Sequence, residues 1–241
     1  MFPGAYKIRT GAIPAGVVAS DTWRPPTFCR NHAGSFASTA TAAIFFAFLM
    51  TVDEKSAART EARARRAAAH AKHGARAGDL LAQHGLEFLA LEPRAIISGF
   101  SAIRDEIDPA PLLARLAAKG HRLCLPVMQS KGLPLVFRAW EPGDEMASAT
   151  WGIAEPLPSR AQHEPDVVLV PLLAFDAQGC RLGYGGGFYD RSIQRLRELK
   201  PVVAVGVGYD EQRIDVVPHL DYDQPLDWVL TPSGPLRCSG H

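Results

Sequence analysis

Residues 166 to 199 constrain the architecture of this chain more than any other stretch. An almost wholly apolar run, Asp166 to Phe175, is followed by Arg-Leu-Gly-Tyr-Gly-Gly-Gly-Phe-Tyr-Asp-Arg at 181 to 191, and then by Ile193, Leu196 and Leu199 at helical spacing. An unbroken apolar run of this length suits a strand buried on both faces of a parallel sheet. Parallel strands need a crossover, and the helix over Asp190 to Leu199 supplies one. The glycine segment therefore falls at the carboxyl end of a strand, where open α/β sheets bind ligands.

The rest of the carboxyl-terminal two thirds repeats that alternation. Ala95 to Phe100 reads as a buried strand, and Asp108-Pro109 followed by Leu112, Leu113 and Leu116 reads as a capped helix ending at Gly120. His121 to Val127 and Leu135 to Trp140 read as strands, Glu141 to Glu164 as a proline-punctuated loop, and Val202 to Val207 and Leu226 to Leu230 as further strands. The expected fold class is α/β, an open and mainly parallel Rossmann-like sheet with helices on both faces.

An apolar fraction of 47% is enough for a sizeable core, and a formal net charge of +1 removes any global electrostatic case for nucleic acid or membrane binding. Cys29, Cys124, Cys180 and Cys238 are far apart and without metal-ligand spacing, so they read as free thiols of a cytoplasmic protein. Residues 1–49 differ from the rest: prolines and glycines are scattered through them, and a short apolar run, Ala42 to Met50, comes too late for a signal peptide. The expectation is a poorly ordered extension, with translation beginning at Met50 and residues 50–241 forming one domain. Residues 51–76 favour a helix, and between positions 55 and 76 seven Lys or Arg face one acid. Lys55, Arg59, Arg63 and Arg66 recur on one face, which for Arg63 and Arg66 is either a solvated face or a phosphate-facing one.

Four glycines within Gly183 to Gly187 allow positive φ and let successive N–H groups line an anion site, although tight turns use the same residue. No Gly-Lys-Ser/Thr closes the loop, so it is not a Walker A sequence. Arg181 and Asp190 at its ends add a cation for phosphoryl charge and a carboxylate for a divalent ion.

The stretch from Val170 to Arg191 resembles the signature of the 5-formyltetrahydrofolate cyclo-ligase family, also called 5,10-methenyltetrahydrofolate synthetases. The similarity runs over roughly residues 52 to 232, taking in Gly99-Phe100, Arg104 to Asp108, Phe137 to Trp140 and Trp151 to Pro156. The resemblance implies a fold like the NagB/RpiA/CoA-transferase-like one, and a ligase that turns 5-formyltetrahydrofolate into 5,10-methenyltetrahydrofolate with ATP and Mg²⁺. It implies ATP contacts at Lys55, Ser56, Ala57, Ala58 and Arg59, with Ala58 standing where the family has leucine. Further ATP contacts are implied at Arg181, Leu182, Gly183, Tyr184, Gly185, Gly186, Gly187, Phe188 and Tyr189, with Lys55 and Arg181 serving catalysis.

Tyr184 to Phe188 would also border the folate, with Ser101 and Glu106 in the same pocket. For Glu106, a charge at the start of the following helix is the other reading. Trp151 reads as core packing. The metal positions implied are Asp190 and Asp227, with Asp221 and Asp223 near enough to compete for the second. Partners would be small molecules, acting on a monomer. A phosphosugar isomerase or transferase on a related scaffold, or a nucleotide-binding regulator without activity, would also use a glycine-rich anion site.

Overall fold

The computed structural model describes residues 39–148 and 153–240. Ala40–His241 form one compact unit. The expected extension falls largely on residues 1–38, which lie outside the described residues, as do Cys29 and Trp151. Helix α1, Thr39–His84, is longer than the 51–76 expected and is kinked at Gly74, whose φ of 49° and ψ of −142° are not helical.

The strands follow in chain order. β1 (Ile96–Ser98) leads through α2 (Ala110–Ala118) to β2 (Arg122–Val127), β3 (Val136–Ala139), β4 (Met146–Ser148), β5 (Ala154–Pro156) and β6 (Gln162–His163). β7 (Val167–Pro171) leads through β8 (Ala174–Phe175), β9 (Arg181–Leu182) and α3 (Phe188–Leu199) to β10 (Val203–Val207), β11 (Trp228–Thr231) and β12 (Gly234–Arg237). Eight of them make one sheet in the order β12-β11-β10-β7-β1-β2-β3-β6. The five central strands, β11 to β2, are parallel, and the outer ones are antiparallel.

Period-two alternation divides the core between two faces. Ile97, Leu123, Val167, Leu169, Val205 and Leu230 point to one face, where Ala69, Ala77 and Leu81 of α1 and Leu112, Leu113 and Leu116 of α2 cover them. Cys124, Val168, Val170, Ala204 and Val229 point to the other, beneath Ile193 and Leu196 of α3. The chain leaves β1 toward β2 and leaves β7 in the opposite direction toward β10, so the strand order reverses between β1 and β7. Right-handed crossovers then put α2 and α3 on opposite faces and open a crevice at the carboxyl ends of β1 and β7.

Four expectations need correction. The apolar run from Asp166 is not one strand: it leaves the sheet after Pro171, and Ala174–Phe175 pairs antiparallel with Arg181–Leu182. Between them the carboxamide of Gln212 donates to the carbonyls of Leu172 and Leu173 at 2.7 and 3.1 Å, so a side chain replaces a neighbouring strand. The 141–164 segment holds three short strands, β4 pairing with β5 and β6 extending the sheet beyond β3. β12 was not expected, and its Pro235 is tolerated because β12 is an edge strand. Leu199 closes α3 but is 60% exposed, leaving Ile193 and Leu196 as its buried stripe.

Pro109 is the N-cap of α2, and Asp108 just before it accepts the Ala110 N–H on Oδ1 at 2.9 Å. Cys124, Cys180 and Cys238 are free thiols, and among the described residues no helix is long and apolar enough to cross a membrane.

Leu196 is fully buried and ties α3, and with it the glycine loop, to the sheet. Leu196→Ala is expected to lower stability by about 2–5 kcal/mol in urea unfolding; a change within the error of the measurement would mean that α3 does not depend on this contact.

Candidate active site at the glycine loop

The loop between β9 and α3 stands off the sheet on the β8–β9 arm, facing the crevice. Gly185 and Gly187 have φ of 97° and 63°, values that strain any residue with a Cβ. Gly187 is also the N-cap of α3, with no side-chain cap bond, so the first-turn N–H groups of the helix remain available to an anion.

α1 lies across this loop. Ala58 and Ala62 pack on Leu173, Ala174, Leu182 and Val217, which brings the cations of the same face down onto the arm. Lys55, 8% exposed, donates to Asp223 Oδ2. Arg59 Nε donates to the Gly183 carbonyl at 3.0 Å, and its guanidinium lies 3.4 Å from where a Cβ on Gly185 would stand. Arg66, 2% exposed, makes a two-point contact with Asp105 and donates to the Tyr184 hydroxyl. Arg63 is exposed, because eight residues from Lys55 is about 80° round an α-helix. The buried members of the expected basic face are thus Lys55 and Arg66, with Arg59 half-buried between them. Ser56 and Ala57 are exposed, and Ala58 is a packing residue.

At the other side of the loop Arg181 donates to Asp190 Oδ1 at 2.5 Å and to the Gln224 carbonyl. The Gln224 N–H also reaches Asp190 Oδ1, at 3.1 Å. Burial pushes the Arg181 guanidinium below its ordinary pKa, against the pull of Asp190 and Asp223. The 220–224 turn therefore brings Asp223 to the same place as Asp190, Arg181 and Lys55.

Asp227 goes elsewhere. Its Oδ2 accepts the Ala204 N–H at 2.7 Å and Arg197 Nη2 at 2.9 Å, at the start of β11. Arg197 is seven residues beyond Asp190 on α3, about 10 Å along the helix. Asp221 is exposed. Among the described residues no three His, Cys, Asp or Glu side chains cluster. A Mg²⁺ ion that also binds phosphates takes only one or two carboxylates, and Asp190 and Asp223 are the acids at this place that could hold one.

The carboxyl end of β1 supplies the third part. Glu106 is 5% exposed, with Oε1 accepting the Tyr184 hydroxyl at 2.5 Å and Oε2 the Ile103 N–H at 3.0 Å. It does not serve the start of α2, where Asp108 fills that role. Burial raises the Glu106 pKa, while Tyr184, the Ile103 N–H and Arg66 resist the rise. Burial also raises Tyr184 and Tyr189, keeping both phenols protonated. Ser101 donates to the Ala154 carbonyl at 3.1 Å, joining this segment to β5. Phe188 is half-buried beneath the Arg191 guanidinium, 5.4 Å from its ring centroid.

The site thus joins three elements around one loop: the first-turn N–H groups of α3, buried cations each paired with a carboxylate, and a buried carboxylate at Glu106. Sequence reasoning left Arg66 open and did not single out Asp105. Burial is the property that marks both, and charge spacing on a helix does not carry it. A cleft of about 340 Å³ along β3 and β6 near Arg195 contains none of these residues.

The 5-formyltetrahydrofolate cyclo-ligase family matches this chain over residues 51–232. The 5-formyltetrahydrofolate cyclo-ligase of Escherichia coli (strain K12) is 37% identical over 143 residues, covering 57% of this chain and 78% of that protein. That of Haemophilus influenzae is 32% identical over 190 residues, covering 75% of this chain and 99% of the relative. Among solved structures, the 5,10-methenyltetrahydrofolate synthetase of Aquifex aeolicus shares the fold with a TM-score of 0.61 at 24% identity, over 77% of this chain and 93% of that one. The matched span contains α1 from its basic face onward, the glycine loop and the Glu106 segment, and on that extent of similarity the chain belongs to the 5-formyltetrahydrofolate cyclo-ligase family and is a ligase.

Proposed function

We propose that this protein converts 5-formyltetrahydrofolate to 5,10-methenyltetrahydrofolate, consuming ATP with Mg²⁺ and releasing ADP and phosphate. The observation that carries this reading is the double engagement of one loop. Gly183 and Gly185 lie against Arg59 of the basic helix, and Tyr184 between them reaches Glu106. A phosphoryl donor on the first side and a folate on the second would meet there.

The chemistry requires that meeting. A formamide oxygen is a poor leaving group, so it must be activated before the ring can close. Transfer of the terminal phosphoryl group of ATP to the formyl oxygen breaks the bond to ADP and leaves the formyl carbon electrophilic. N10 then attacks that carbon, the C–O bond breaks, phosphate departs with its electron pair, and N10 loses its proton as the five-membered ring forms. No protein nucleophile is needed, and positioning N10 against the activated carbon is the main contribution of the pocket.

Lys55, Arg59 and Arg181 would offset phosphate charge, and the N–H groups at the start of α3 would hold the transferred group. Glu106 would accept N–H donors from the amino-pyrimidine edge of the pterin as charge-assisted bonds. Ser101 and Tyr184 to Phe188 would line the same pocket. Asp190 and Asp223 would hold Mg²⁺, which supplies positive charge against the phosphate oxygens. Asp223 lies beside Lys55 and the Arg181–Asp190 pair, whereas Asp227 binds the Ala204 N–H and Arg197, which favours Asp223 over Asp227 as the second ligand.

Purified protein with Mg-ATP and 5-formyltetrahydrofolate is expected to produce the absorbance of the methenyl product; its absence would reject the reaction. Lys55→Ala should raise the KM for ATP about tenfold, the loss of one charge-assisted contact, and change the KM for the folate much less. Equal changes in both would remove Lys55 from the phosphate site. Asp223→Asn should raise the Mg²⁺ needed for half-maximal turnover about tenfold by the same arithmetic. Asp227→Ala should leave that requirement alone and cost about 1–3 kcal/mol of stability, because it strands the buried Ala204 N–H. The reverse pattern would return the metal position to Asp227.

A further inference from the structure

Arg66 is the most deeply buried cation on α1, yet it stands seven residues beyond Arg59, about 10 Å along the helix from the last proposed phosphate contact. Its Nε and Nη2 donate to Asp105 at 3.1 and 2.8 Å, and its Nη1 donates to the Tyr184 hydroxyl. Nη1 is also 3.6 Å from Glu106 Oε1. A guanidinium only donates, so the Tyr184 oxygen must accept from it, and the single phenolic proton is then aimed at Glu106 Oε1, 2.5 Å away. The guanidinium carbon lies 5.4 Å from the Tyr184 ring centroid, which holds the ring as well as its hydroxyl. Every link from α1 to the Glu106 carboxylate is thereby oriented.

The geometry points to Arg66 as a positioning residue of the folate pocket: through the Tyr184 hydroxyl and Asp105 it fixes the Glu106 carboxylate in the orientation that receives the substrate. This rests on the reading of Glu106 as the folate contact. Arg66 does not face the reacting atoms itself. It joins the helix that carries the phosphate cations to the loop that holds the folate, and Tyr184 is the shared member.

The electrostatics agree with the geometry. The groups facing Glu106 are Arg66 from α1, Tyr184 from the glycine loop, Tyr189 from α3 and neighbouring Asp105. Of these only Arg66 is positive, and with the Tyr184 hydroxyl it opposes the upward push of burial on the Glu106 pKa. A protonated Glu106 would lose the charge that strengthens its bonds to pterin N–H groups.

The test is steady-state kinetics of R66Q, R66K, Y184F and E106Q in the full chain, with both KM values and the pH profile of kcat/KM for 5-formyltetrahydrofolate. R66Q is expected to raise the folate KM about tenfold or more while the ATP KM stays within about twofold, since charge-assisted bonds are lost on one side of the loop only. Its acid limb should move to higher pH, because Glu106 ionises less readily without the cation. R66K should keep the acid limb near that of the unaltered protein but not the folate KM, because an ammonium cannot make the planar two-point contact.

Should R66Q not fold, Y184F tests the same chain of contacts through the acid limb, which is expected to shift upward when the hydroxyl between Arg66 and Glu106 is lost. Equal effects on both KM values, or an acid limb that does not move, would make Arg66 a structural anchor and overturn the inference. E106Q with an unchanged folate KM would instead remove Glu106 from the folate site, and the reading beneath the inference with it. E106Q impaired beside an R66Q that behaves like the unaltered protein would remove only the role of Arg66.

Discussion

Three cations are taken out of water around one loop, and each is paired with carboxylate: Lys55 with Asp223, Arg181 with Asp190, and Arg66 with Asp105 and, more distantly, Glu106. Withdrawing such charges from water costs several kcal/mol per ion, and well-packed apolar side chains would serve stability at least as well. Pairing is therefore a condition the surrounding structure must meet. It holds α1 across the β8–β9 arm, the 220–224 turn against α3, and the Glu106 segment beneath the loop. Removing one member of any pair would strand its partner in a poorly solvated place. The pairs are thus a constraint on how the segments dock rather than a source of stability.

The sheet explains why these groups meet. Reversal of strand order between β1 and β7 puts two loops at one crevice, the Glu106 segment after β1 and the glycine segment after β7. The second loop does not leave directly from its strand. Gln212 satisfies the carbonyls of Leu172 and Leu173, freeing the chain to turn into a two-stranded arm that carries the glycines toward α1. A single continuous strand to Phe175 would have kept the chain in the plane of the sheet.

Alternation of strand and helix was legible because buried parallel strands are short apolar runs and covering helices have a period near 3.6. The short strands β4, β5 and β6 were not, because pairs of two or three residues carry too little periodicity to stand out from a loop. Leu199 has the spacing of a buried position, but it falls at the end of α3, where the sheet no longer covers it. Charge was the hardest property to place. Arg63 and Arg66 looked alike in the sequence, and a difference of a fraction of a turn left one exposed and buried the other.

By itself the sequence determined the fold class, the place of the glycine loop after a buried strand, and the membership carried by Val170 to Arg191. All three depend on local order along the chain, which residue types and spacing record directly. Only the tertiary structure decided which acid meets which cation. Asp223 rather than Asp227 lies beside Lys55 and Arg181, and Asp105 and Tyr184 enclose Arg66, because those partners come from segments up to 168 positions apart. Contacts at that separation are set by how helices dock on a sheet, and no local pattern in the chain specifies them.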